Sequence, residues 1–204
     1  MSHSAQLTLQ FESTAASRTG AFVATRPLRK HRFYKSLLRR IHYVRRFFPE
    51  FGARTLRVGL TRVASGMAVP GGNEVWFNPG QASFHTISHE FVHLLQGKQG
   101  VPAGERSCDL FSLARDWTLN DTAPGYVRVP IKFQDMYGKI LPCYAKLIYD
   151  IARRAIELRG SGMRNYIAYF EKTLSDLARD PEHLSHPSRP RYESASRRPN
   201  AKSA

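Results

Sequence analysis

Three things are scarce in this 204-residue chain: cysteine, acidic side chains and long apolar runs. Cys108 and Cys143 are its only cysteines, too few for the disulfide framework of a small secreted domain. No run approaches the roughly 20 apolar residues of a membrane span, and residues 1–11 lack the uncharged apolar stretch of a signal peptide. The expectation is a cytoplasmic protein with no membrane partner. Acids number 16 against 31 Lys and Arg, giving a formal net charge of +15 and a pI near 10.3. That imbalance implies attraction to nucleic acid or other polyanions. With 42% hydrophobic residues the chain can bury one good core, so residues 1–180 are expected to form one domain. Residues 181–204 are rich in Ser, Pro and Arg, and are expected to be a disordered basic tail in which His183 and His186 are free.

What is present centres on residues 83–97. Phe84, Ile87, Phe91 and Leu95 recur at helical spacing and Gly97 supplies a stop, while the other face carries His89, His93 and Gln96. Residues four apart lie one above the other on a helix, so His89 and His93 can turn ring nitrogens toward one metal ion, with Glu90 reaching its open side. The pattern is HExxH. A core helix with two satisfied histidines is the plain alternative. His85 shares the face, but two turns, roughly 12 Å, separate it from His93, too far for all three to grip one ion.

A second helical run is expected over residues 102–117, with Pro102 acceptable in its first turn. Glu105 and Asp109 are again four apart and share a face. One carboxylate can be a third ligand, and the other can orient a ligating imidazole. Gly97, Gly100, Pro102 and Gly104 permit a tight reversal that brings the two faces together.

Over residues 73–114 this chain resembles the gluzincin metallopeptidases, whose HExxH is followed on the next helix by a ligand Glu and, four residues on, a supporting Asp. The resemblance implies that His89, His93 and Glu105 hold one zinc ion, that Glu90 is the general base, and that Asp109 bonds His89. Eleven residues separate His93 from Glu105, and Gly104 and Cys108 stand where Asn and Ser often flank the family's acids. That compactness is similar to the minimal, single-domain gluzincins. A metzincin would need Gly and His where Gln96 and Gln99 stand, and no histidine occurs between His93 and His183. An aspzincin-like site, with Asp109 as ligand and Glu105 as bystander, stays open.

Two imidazoles and one carboxylate leave a fourth position on zinc, and open sites of this kind are catalytic. The expected reaction is hydrolysis of a peptide or protein substrate by metal-activated water, with Glu90 carrying the proton to the leaving amine. A structural zinc would need a fourth protein ligand, and Cys108 is the nearby candidate; it gives Glu90 no role. Two further readings use the charge: a protease held on DNA or RNA, and a non-catalytic nucleic-acid-binding module with a structural zinc.

The remaining elements are read in chain order. Leu7, Leu9 and Phe11 alternate as in a short strand, and residues 12–27 read as loop. Phe33, Leu37, Ile41, Val44 and Phe48 set a helix over residues 28–48. Its other face carries Arg29, Lys30, Arg32, Lys35, Arg39, Arg40, Arg45 and Arg46, a surface for nucleic acid or simply a solvated face. Strands are expected at 55–63 and 74–78, with turns at Gly66 and at Gly71 and Gly72. In the families resembled, the strand before the metal helix is a sheet edge that takes substrate as an added strand; an interior strand is the plain alternative. Tyr126 and Tyr137 are loop candidates for stabilising an oxyanion. Two apolar helices, Leu147 to Leu158 and Tyr166 to Leu177, flank Gly160 and Gly162. Together these give an α+β expectation: a small zincin-like sheet packed on the HExxH helix, a basic backing helix and C-terminal helices.

Overall fold

The computed structural model describes residues 20–97 and 100–180, and its fold is α+β. The expected strand at 7–11, the tail 181–204, His183 and His186 lie outside the described residues. Four short strands form one mixed sheet: β1 (Phe22–Ala24), β2 (Leu56–Leu60), β3 (Gly66–Ala68) and β4 (Glu74–Phe77), in the order β1-β2-β4-β3. β1 and β4 both run parallel to β2, and β3 is antiparallel to β4. Leu56, Val58, Val75 and Phe77 alternate onto one face and are buried, so the sheet packs its helices on that side.

Three expectations for the N-terminal half are corrected. Residues 12–27 are not all loop, because β1 forms there; its three residues show no period, and only pairing with β2 makes them a strand. Residues 28–48 are not one helix. α1 (Arg26–Arg29) ends early and α2 (Tyr34–Arg45) starts afresh, leaving Phe33 40% exposed at the break. β4 is interior, flanked by β2 and β3, so the edge strand beside the later helices is β3, and Gly66 begins that strand instead of a turn.

Two of the eight cations assigned to an outer basic face turn inward. Arg45 is buried and donates to the carbonyls of Gly52 and Arg54, and Arg40 donates to the carbonyls of Ala82 and Pro79. A guanidinium has five donors on a long stem, so it can bury its stem and cap loop carbonyls.

The HExxH helix, α3 (Phe84–His93), starts at Ser83, whose hydroxyl accepts from Thr86 N. Asp121 accepts from Phe84 N and His85 N, each at 3.0 Å, so the first turn is held from outside the helix. α4 (Glu105–Leu113) is shorter than the expected 102–117. Gly104 precedes it at φ 99°, a left-handed conformation that favours glycine and sets Glu105 as the first helical residue. α5 (Pro142–Gly160) and α6 (Tyr166–Arg179) follow and pack on each other and on α4. One cluster of buried apolar side chains runs from Leu28 to Ala178. No helix among the described residues is long and apolar enough to cross a membrane.

Candidate metal centre

α3 and α4 face each other through polar side chains. His85, His89, Glu90 and His93 are buried on α3, and Cys108 and Asp109 are buried on α4. Two groups bring ligand atoms within 4.8 Å of one another and could hold a metal ion: His89, His93 and Cys108, and His85, His89 and Asp109. Orientation of the rings separates these possibilities.

His89 Nδ1 lies 2.7 Å from Asp109 Oδ1, and a carboxylate can only accept, so the proton sits on Nδ1. His93 Nδ1 lies 2.9 Å from Gln96 Oε1. The amide is oriented in turn, because Gln96 Nε2 donates to the carbonyls of Pro102 and Gly104. Both rings therefore present a bare Nε2. Those two atoms are 3.2 Å apart, and Glu105 Oε2 stands 3.0 Å from one and 3.2 Å from the other. Three acceptors facing one another at this range repel unless a proton or a metal cation lies among them. Their separations approach the roughly 3.3 Å edge of a tetrahedron whose centre is about 2.0 Å from each corner, which suits a small tetrahedral metal ion.

The other candidate ligands point elsewhere. Cys108 Sγ is 3.3 Å from His93 Nδ1, the nitrogen on the far side of the ring from Nε2. Burial, with the negative charges of Glu105, Glu90 and Asp109, pushes its thiol well above the ordinary range, so it stays protonated. Asp109 is saturated as an acceptor. Its Oδ1 takes His89 Nδ1 and, at 3.3 Å, His85 Nε2; its Oδ2 takes the backbone N–H of Tyr126 at 2.6 Å and of Val127 at 3.1 Å. Burial opposes its charge, yet the hydrogen bonds from His85 and His89 hold its carboxyl well below the usual carboxylate range. Burial likewise opposes the His89 imidazolium, but Asp109, Glu90 and Glu105 more than offset it and raise the group above its ordinary value.

Glu90 is buried on α3 against the edge strand. A Cβ at Gly66 would come 2.7 Å from its Cγ and Oε1, so glycine there leaves the room the carboxyl occupies. Burial pushes Glu90 up to about 7; His89 opposes the shift and Glu105 adds to it.

The structure thus brings His89, Glu90, His93, Glu105 and Asp109 to one place. It separates the two tyrosines: Tyr126 stacks on His89 with ring centroids 6.0 Å apart, while Tyr137 is 76% exposed on a loop. The charge of Glu105, then burial, then Asp109 and Glu90 raise the Tyr126 phenol, which stays neutral. Sequence reasoning missed two supports. His85, set aside as too far for a ligand, shares Asp109 Oδ1 with His89, and Gln96, three residues after His93, fixes that ring. The helical spacing carried both signals, but only for residues looking outward from a known metal position. No protein-family model, curated protein or solved structure matches this chain.

Proposed function

We propose that the protein is a zinc-dependent metalloendopeptidase with a gluzincin-like site. One observation carries the reading: His89 Nε2, His93 Nε2 and Glu105 Oε2 converge within 3.2 Å while both Nδ1 atoms are anchored elsewhere. Those three atoms would hold the ion, with Asp109 and Gln96 fixing the imidazoles. Zinc with an open fourth position supplies Lewis acidity, polarising a peptide carbonyl and making water nucleophilic near neutral pH. Glu90 accepts the proton of the attacking water and delivers it to the leaving amine. A carboxyl that burial already lifts to about 7 is poised to hold a proton and give it up. In this reading Tyr126, whose ring stacks on His89, would supply the hydroxyl that stabilises the developing oxyanion. An extended substrate adding to the sheet would pair with β3, whose outer edge has no partner strand among the described residues and which lies against Glu90.

The rival reading, a structural zinc closed by Cys108, has against it the placement of Sγ behind His93. Metal content per chain, measured by mass spectrometry beside cleavage of an unfolded protein, tests the proposal. Wild type should carry about one zinc and cleave; Glu105→Ala should lose the zinc; Glu90→Gln should keep zinc and lose cleavage. Folded wild type that takes up no zinc when supplied with it would sink the reading.

A further inference from the structure

The sheet has a second face. Register and strand alternation put Val23, Arg57, Gly59, Trp76 and Met67 on the side away from the buried Val58, Val75 and Phe77. Val23 and Met67 there are 54% and 45% exposed. A groove of about 600 Å³ opens on this side, with Val23, Arg26, Pro27, Arg57 and Trp76 in its walls. That volume suits a drug-sized or nucleotide-sized group. The Trp76 indole lies across Gly59, where an added Cβ would come 2.1 Å from its Cδ1. Glycine at 59 therefore lets a large flat ring rest on the backbone as part of the groove wall.

Charge around the groove is predominantly positive, and Glu74, opposite Arg57, is an acid on this sheet face. Between residues 20 and 73 there are twelve Lys and Arg and one acid, Glu50. Glu50 is engaged with Arg115 at 2.5 Å. Arg26, Arg29, Lys30, Arg32, Lys35 and Arg39 are exposed and have no acidic partner within salt-bridge distance among the described residues. Arg57 pairs with Glu74 at 3.1 Å, but both side chains are solvent-exposed, so the pair is weak and an incoming anion can compete for the guanidinium. An aromatic wall, one unpaired guanidinium and one loosely paired one thus stand where a trail of cations on α1 and α2 begins.

We propose that this groove binds single-stranded nucleic acid, with an unpaired base stacked on Trp76 and adjoining phosphates on Arg26 and Arg57. Sequence-tolerant strand binding combines an aromatic platform with a cationic track, and the two occur together here. A duplex keeps its bases stacked on one another and offers no free ring face to the indole. An acidic peptide would use the cations and leave the ring idle. The proposal is independent of the peptidase reading, because the groove lies on the sheet face turned away from Glu90 and the histidines.

The experiment uses the full chain carrying Trp117→Phe, which leaves Trp76 as the one tryptophan. Unlabelled dT20 is titrated against its emission, and fluorescein-labelled dT20 is followed by anisotropy over a salt series. Saturable quenching of Trp76 is expected at low salt. Trp76→Leu should bind about ten-fold or more weakly, and Trp76→Phe should keep most of the affinity. Arg26→Ala should lower the slope of log affinity against log salt by about 0.7, the loss of one phosphate contact. Circular dichroism and thermal melts check each variant's fold; should Trp76→Leu unfold, quenching and the Arg26→Ala slope still decide. Binding of dT20 without quenching and unchanged by Arg26→Ala would overturn the proposal. So would equal affinity for a duplex of the same length, or equal quenching by polyglutamate, which would give the face to an acidic polypeptide.

Discussion

Two helix pairs in this molecule are built alike and filled differently. α5 and α6 bury Ile148, Ile151, Ala155, Phe170 and Leu174 between and beneath them. Most of their charges stay outside and pair along the helix, Lys146 with Asp150 at 2.8 Å, Arg154 with Glu157 at 3.2 Å and Lys172 with Asp176 at 2.5 Å, while Glu171 reaches across to Arg106 on α4. α3 and α4 bury His85, His89, Glu90, His93 and Asp109, five His, Glu and Asp side chains joined by hydrogen bonds, in the same kind of contact. Removing a charge or polar group from water costs several kcal/mol unless partners replace the water. A chain able to fill a helix contact with Ile, Ala and Phe has no need of His, Glu and Asp for stability. The polar filling of α3–α4 therefore points to chemistry, and the apolar filling of α5–α6 to support.

Substitutions sharpen this contrast, because the two pairs should fail in different ways. The largest change is expected from Glu90→Gln: same shape, zinc retained, and cleavage of an unfolded protein slowed by about 10²–10⁴-fold in a steady-state assay. Undiminished cleavage would remove Glu90 as the base. Phe170→Ala, fully buried on α6, should cost about 3–5 kcal/mol in urea unfolding. The protein that stays folded should still bind zinc with wild-type stoichiometry, and a loss of zinc there would erase the contrast. Asp109→Asn should weaken zinc binding by about 10–100-fold in a chelator competition, because one amide oxygen cannot accept from both His89 Nδ1 and the backbone N–H groups of Tyr126 and Val127, and the carboxylate charge on His89 is lost. The smallest effect belongs to Lys172→Ala, an exposed pair on α6, where thermal unfolding should change by about 0.5 kcal/mol or less, and less still in high salt.

Legibility from sequence followed the range of the interaction. HExxH is a spacing of four on one helix, so His89, Glu90 and His93 could be placed on one face before any fold was known. Glu105 and Asp109 shared a face for the same reason, yet which of them looks at Nε2 and which at Nδ1 depended on how α4 docks on α3. The helix over 28–48 was half legible. Its apolar stripe through Leu37, Ile41 and Val44 is buried, but Arg40 and Arg45 turned to loop carbonyls that lie far away in sequence or in a separate turn. β1 was invisible, because three residues carry no period and pair only with a strand more than thirty residues on.

The sequence alone determined the helical spacing of the histidines, the α+β class and the lopsided charge of the first half, all of which rest on local period or composition. The tertiary structure decided three other matters. It made β3 rather than β4 the edge beside Glu90, it set His85 and Gln96 behind the two imidazoles, and it put Trp76 over Gly59 with Arg26 and Arg57 beside it. The physical reason is common to all three. Each depends on which face of one element meets which face of another, and that is settled only when the whole core packs at once.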